Sequence, residues 1–294
     1  MARPLLLFVL LWTMALIFLG SYVHATEASL ACPDWPTCFG TMMPEMTGGV
    51  FWEHLHRLWA GALVLLFAVS VVVLRRGYPE RIWLFRLGLA GIAALLAQSL
   101  LGGLTVLLRL PDAISAAHLA MALVFVALLT TLLARTGRDP AAAVDRGSGE
   151  RLLAFRMGLL ASLLLYAQSM VGAWVRHRDA GMACPDWPLC LGRLVPPLEF
   201  GIVQLHYLHR VLGVLVALVV IACSWTLLRR CGSRSVRLAG AALGGGVAMQ
   251  VVLGFLSVAA RLDPVLVSLH TLLAATLLAV TVWVAASSWE RGPA

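Results

Sequence analysis

The chain has 294 residues, of which 61% are hydrophobic and only 12% charged. A water-soluble domain of this length must present polar surface to solvent, so the composition excludes one and indicates a polytopic membrane protein. The net charge of +8 comes wholly from arginine, because there is no lysine; in short loops between apolar stretches it signals membrane topology, not a nucleic-acid partner.

Eight apolar stretches reach the roughly 20 residues that cross a bilayer. They lie near 5–23, 54–74, 86–108, 114–134, 154–175, 203–228, 238–260 and 265–286. The first resembles a secretory signal, with small residues near Ala25. Its counterpart in the second half is internal and cannot be cleaved, and Gly20 matches Gly172, so it is expected to be a retained span.

The loop after the first span reads ACPDWPTCFG over 31–40, and ACPDWPLCLG recurs over 183–192. The chain is therefore a tandem repeat, with an offset of 152 for Cys32/Cys184 and Cys38/Cys190. Two prolines, a carboxylate and a tryptophan between the cysteines make a stiff turn. A disulfide within each loop is the leading expectation, with a bridge between the loops and a zinc site as alternatives. Zinc is disfavoured because the loops lack histidines at a familiar spacing; a structural staple and a redox-active pair remain equally open. Cys223 and Cys231, at the end of the sixth span, are expected to be free thiols without a role.

The second span opens with Glu53-x-x-His56-Arg57, and the fourth carries His118 a few residues from the same end. The spans run in the same direction, so at 1.5 Å per residue the two imidazoles differ in depth by about 3–5 Å. That suits two axial ligands on either side of a haem. His209, followed by Arg210, and His270 repeat the arrangement. Ionisable groups in lipid are costly and usually functional, and two histidines per half support haem better than four-coordinate zinc. Glu53 shares a helix face with His56; it is either a proton-handling group or a first-turn acid favoured by the helix dipole. His206 stands where Glu53 does, and its role is open. Arg57 and Arg210 point away from the histidines, towards either a haem propionate or a lipid headgroup. Gln98 and Gln250, each four residues before a glycine (Gly102, Gly254), are expected to bond across helices while the glycines permit close packing. His24 and His177 are expected to be solvated loop residues.

Arginines cluster after the second, fourth and sixth spans: Arg75, Arg76, Arg81 and Arg86; Arg135, Arg138, Arg146, Arg151 and Arg156; Arg229, Arg230, Arg234 and Arg237. The other side has chiefly Arg109, Arg176, Arg178, Arg193 and Arg261. This places both termini in the cytoplasm and both cysteine loops outside the cytoplasmic membrane. The expected fold is all-α, with eight transmembrane helices in two tandem pseudo-symmetric four-helix bundles, residues 1–138 and 151–294, joined by a cytoplasmic linker at 139–150.

These residues together resemble the haem A synthases of cytochrome oxidase assembly, over nearly the whole chain. The resemblance implies oxidation of the C8 methyl of haem O to the formyl group of haem A. It implies a substrate-haem half with Glu53, His56 and His118, and a haem b half with His209 and His270. An external electron donor, a haem O synthase as neighbour and the lipid bilayer are the implied partners, with no nucleic acid. A cysteine pair in both loops departs from many members. Alternatives are a dihaem b-type electron carrier and a non-enzymatic haem carrier.

Overall fold

The computed structural model describes residues 2–136, 148–197, 199 and 201–289. Eight long helices account for nearly all of them: α1 (Ala2–Ala25), α2 (Gly48–Gly77), α3 (Ile82–Leu107), α4 (Asp112–Arg135), α5 (Ser148–His177), α6 (Gly201–Arg230), α7 (Arg234–Ala259) and α8 (Pro264–Ser288). Each is long and apolar enough to cross a membrane, and among the described residues there is no strand. The chain is a multi-pass membrane protein. Most of the expected linker, with Arg138 and Arg146, lies outside the described residues.

The helices start and stop where local chemistry dictates. Asp263 caps α8 by accepting from the N–H groups of Val265 and Leu266, both at 3.0 Å, with Pro264 in the first turn. The α3–α4 and α7–α8 turns are copies. Arg109–Leu110 and Arg261–Leu262 adopt positive φ, and the N–H groups of Leu110 and Leu262 return to the carbonyls of Thr105 and Ser257, each at 2.7 Å. These bonds satisfy carbonyls that the helix ends leave open.

Helices α1–α4 pack around one core and α5–α8 around another, and the two groups meet where α1 and α4 contact α8 and α4 contacts α5. The first core is built on Leu6, Val9, Phe67, Phe125, Leu129 and Leu132. Phe67 and Phe125 meet edge to face at 5.0 Å, and Trp12 stacks on Trp59 at 4.6 Å. Outward-facing leucines such as Leu65, Leu163 and Leu218 stay exposed, as lipid-facing positions should. Lipid is as apolar as leucine, so close packing and interhelical hydrogen bonds hold the bundles, not exclusion from water. Small residues provide that closeness between α5 and α8. Gly158 lies against the backbone of Thr281 and Ala285, and the Ser162 hydroxyl donates to Thr281 Oγ1 at 2.9 Å.

A Cβ on Gly158 would stand 2.6 Å from the Ala285 nitrogen, whereas one on Gly61 meets nothing within 4 Å. Gly158→Ala is therefore expected to cost about 1–3 kcal/mol, and Gly61→Ala to be neutral or stabilising by up to about 1 kcal/mol. Thermal unfolding of both variants in one detergent checks the contrast.

Candidate functional site

The repeated histidines occupy repeated positions. His56 is the ninth residue of α2 and His209 the ninth of α6; His118 is the seventh of α4 and His270 the seventh of α8. Within each half the two lie at one depth, to about 3 Å. His56 and His118 are within electrostatic reach of each other, as are His209 and His270.

Each imidazole lies against a glycine of a neighbouring helix. A Cβ built on Gly20, Gly102, Gly172 or Gly254 would stand 2.8, 3.0, 3.0 or 3.1 Å from the Cε1 of His56, His118, His209 or His270 respectively. A side chain at any of the four would push the ring outward. The residues are half-buried, yet Nδ1 of His56, His118 and His270 is sealed without a partner. Rings pinned from behind and open elsewhere, two per bundle at one depth, fit an axial pair for a haem in each half.

The polar neighbours of these rings differ between halves. The Gln98 amide lies 3.3 Å from His118 Nε2, whereas that of Gln250 donates to the His270 backbone carbonyl at 3.0 Å. Gln168 approaches His209 Nδ1 at 3.1 Å and donates to its carbonyl at 2.8 Å; the matching position in the first half is Leu16.

Both cysteine loops fold back over the ends of α2 and α6. Cys32–Cys38 and Cys184–Cys190 are disulfide-bonded, so each bridge closes within its own loop. Arg57 clamps the first loop, donating to the carbonyls of Asp34 (2.7 Å), Thr37 (2.5 Å) and Cys32 (3.2 Å) and pairing with Glu53 Oε1 at 2.5 Å. The other Glu53 oxygen accepts from the Cys32 N–H at 2.8 Å. Arg210 repeats the clamp on the carbonyls of Asp186, Leu189 and Cys184, with His206 in the place of Glu53. This answers what the sequence left open about His206: Cys184 N lies 3.3 Å from its Nδ1, and Arg210 Nε 3.2 Å from its Nε2. A neutral imidazole has one lone pair, so it accepts only one of these at a time, whereas a carboxylate accepts both. The guanidinia are directed at the loops, a use that neither a propionate nor a headgroup reading anticipated.

Two further placements differ from expectation. His24 and His177 are not solvated loop residues: they sit in the last turns of α1 and α5, and their rings meet at a tilt with centroids 4.7 Å apart. There Arg176 donates to the His24 carbonyl at 2.8 Å, tying the halves together. The helices run about two residues beyond the apolar stretches, which carries both rings out of the loops. His54, one residue after Glu53, is buried under the first loop beside Cys32 and Cys38. Its counterpart in the repeat is Tyr207, not a histidine, so the duplication gave no signal for it.

Trp35 also separates the halves. Gly103 on α3 admits its ring, since a Cβ there would fall 2.7 Å from Trp35 Cδ2. The equivalent residue on α7 is Phe255, which meets Trp187 edge to face at 5.4 Å and leaves it 58% exposed.

The family described as COX15-CtaA, cytochrome oxidase assembly protein, matches residues 3–282. The chain is 32% identical over 233 residues to a protein named Heme A synthase from Symbiobacterium thermophilum, covering 76% of this chain and 74% of that one. It is 26% identical to the Heme A synthase of Shewanella oneidensis over 98% of this chain and 96% of that one. It is also 29% identical, over 97% of its length, to 48% of a Protoheme IX farnesyltransferase from Thermus thermophilus.

Asp34 ties the first loop to itself. Its carboxylate accepts from the Thr37 hydroxyl and from the N–H groups of Phe39 (2.6 Å) and Gly40 (2.8 Å). These bonds, Thr37 foremost, hold its carboxyl below the usual range. A lowered carboxyl stabilises above its unfolded value near 3.9 and loses that contribution as pH falls through the folded one. Amide exchange at Phe39 and Gly40 is therefore expected to stay protected at neutral pH and to lose protection only in acid below the ordinary carboxylate range, as pH falls through the lowered value. Asp34→Asn should abolish that pH dependence.

Proposed function

The chain belongs to the COX15-CtaA family of cytochrome oxidase assembly proteins, and from that premise we propose that it is a haem A synthase, oxidising the C8 methyl of haem O to the formyl group of haem A. The observation that carries the assignment of halves is the carboxylate of Glu53, one turn before His56, in only one of two otherwise matching histidine cradles. An electron carrier with two equivalent haems, or a passive carrier, gives no reason for that difference.

In this reading His56 and His118 hold the substrate haem, and His209 and His270 hold a haem b. Haem b supplies one-electron transfer when bound. Its histidines are the more firmly set at the backbone: Gln168 donates to the His209 carbonyl and Gln250 to the His270 carbonyl. In the first half the Gln98 amide competes for His118 Nε2, the lone pair that would bind iron. His118 is then the ligand that yields, which suits a substrate that must enter, react and leave.

Each hydroxylation consumes one dioxygen, two electrons and two protons and releases one water, and the aldehyde forms when the doubly hydroxylated carbon loses water. Glu53 is the carboxylate one helical turn before His56, on the same helix face. It is 4% exposed and bound on one side by Arg57, so a proton gained or lost on it changes its hold on the first loop. Glu53 thereby links proton delivery to the loop that covers the substrate. Arg57 and Arg210 anchor the loops, and a propionate would meet only the guanidinium edge that the loop carbonyls leave free. The arginine distribution places the cysteine loops outside and both termini in the cytoplasm. A haem O synthase is the expected supplier of substrate. The Thermus relative supports this, since a protein named for the farnesyl transfer devotes about half its length to a region like this chain.

The test is co-expression with a haem O synthase, followed by extraction and identification of the non-covalent haems by chromatography and mass. The unmodified chain is expected to yield haem A or its hydroxylated precursor. Glu53→His, which installs the residue the second half uses as an anchor, should keep both haems but lower oxidation by roughly 10²–10⁴-fold, the range for a lost acid–base group. Full activity in Glu53→His would reduce Glu53 to an anchor. His209→Ala should instead empty the haem b site. Unchanged haem O from a haem-loaded chain given oxygen and reductant would favour the dihaem carrier.

A further inference from the structure

His54 is 2% exposed, and one of its ring nitrogens lies with Sγ of Cys32 and Sγ of Cys38 in a group whose members are all within 4.8 Å of one another. Both cysteines are fully buried. Nε2 of the ring lies 3.0 Å from the Met42 carbonyl. A carbonyl only accepts, so Nε2 carries the hydrogen and Nδ1 keeps its lone pair. That Nδ1 is buried and has no hydrogen-bond partner. A buried acceptor left unpaired costs about 1–3 kcal/mol, and nothing in the disulfide-closed loop repays it.

The second half shows that the loop does not need the imidazole. Its cysteines are bridged in the same way, yet the equivalent residue is Tyr207, packed against Cys184 and Cys190 as an apolar neighbour. Among the described residues, no comparable group of ligand atoms forms there.

We propose that, with its cysteines as thiols, the first loop binds one thiophilic divalent ion of the zinc class through Sγ of Cys32, Sγ of Cys38 and Nδ1 of His54. Two thiolates and an imidazole are the donor set such an ion prefers. Zinc–sulfur bonds of about 2.3 Å in a tetrahedral arrangement place two sulfurs about 3.7 Å apart, so the sulfurs must move apart from their bonded separation once the disulfide is reduced. The Met42 carbonyl fixes the tautomer that offers Nδ1, as outer-sphere partners of ligating histidines do. Three protein ligands leave one position for water. On binding, the two thiols release two protons and no electrons move. The dithiol is the state in which the chain is synthesised, and a two-electron reductant of the phosphine or dithiol class regenerates it from the disulfide. Metal and disulfide are therefore mutually exclusive closures of the same loop, and only the substrate half has the choice.

The experiment uses the full-length protein in detergent, reduced with a phosphine, desalted without oxygen and titrated with Co²⁺ and then Zn²⁺. The expected result is one equivalent bound, with a sulfur-to-cobalt charge-transfer band that Zn²⁺ removes and that the oxidised protein never shows. His54→Tyr, which places the second half's own residue here, should weaken binding by more than the roughly 10–100-fold typical of outer-sphere changes. The Cys184→Ser/Cys190→Ser double variant should bind as before. X-ray absorption on the unmodified protein with zinc gives a reading that needs no variant: two sulfurs and an imidazole are expected. No binding by the reduced chain, equal binding in His54→Tyr, or a zinc shell without imidazole would overturn the site.

Discussion

The arginine clamp is the interaction on which the site depends. A cysteine loop folded onto the end of a helix turns several carbonyls away from water, and each needs a donor. One guanidinium supplies the first loop with three hydrogen bonds and pairs with Glu53, and Arg210 supplies three in the second loop with His206 in place of the carboxylate. The Arg57 and Glu53 side chains are only 12% and 5% exposed, so removing either leaves a buried charge, at a typical cost of about 3–5 kcal/mol. The clamp residue directly follows the proposed axial histidine in both halves. Loop position and imidazole position are thus set by the same turn of helix, and the disulfide holds the loop in the shape that the clamp requires.

Behind the histidines the constraint is steric. Four glycines on α1, α3, α5 and α7 bring a helix backbone to within van der Waals contact of four rings on α2, α6, α4 and α8. This pattern, and the paired turns at Arg109–Leu110 and Arg261–Leu262, survive in both halves. The differences gather around the cysteine loop and the rings: Glu53 against His206, Leu16 against Gln168, Gly103 against Phe255, His54 against Tyr207. The glycine-backed histidines are common to both halves, and their surroundings differ. That is the expected outcome if one copy came to act on its haem and the other came to keep one.

Much of this was legible in the residues. Eight spans, the repeat, the loop cysteines and two histidines per half at one depth follow from apolar run length, identical motifs and helical rise. The rest depends on contacts between residues distant in sequence. A helical wheel turns Arg57 away from His56, and only the fold-back of residues 32–37 gives it partners 20 to 25 positions away. Gly102 and Gly254 could be read as sites of close packing, but not that an imidazole is what approaches them. His54 carries no repeat signal, because a tyrosine, Tyr207, stands at its position in the second half. His24 and His177 were misplaced because hydropathy marks the apolar part of a helix, while helical hydrogen bonding continues into its polar ends.

The seam between the bundles bears on how electrons would reach the substrate half. His118 is on α4 and His270 on α8, and these two helices pack directly. Leu123 meets Ala275 and Leu278 one to two turns beyond the histidines, with Met14, Ile17, Tyr166 and Met170 filling the remaining space. A largely apolar cluster therefore lies between the two pairs of histidines. Polar ties cross the seam at both ends: Ser21 with Thr271 at 3.3 Å, Arg176 on the His24 carbonyl and Arg178 with Asp112 at 3.3 Å towards the cysteine loops, and Arg135 donating to the Trp289 carbonyl at 2.9 Å at the other end. An apolar wall lowers the dielectric around a transferred electron and fixes the distance it crosses, while the polar ties keep the bundles from sliding. On the proposed reading, the second half then does more than stabilise the first: it holds an electron source at constant separation from a site whose own ligand must move.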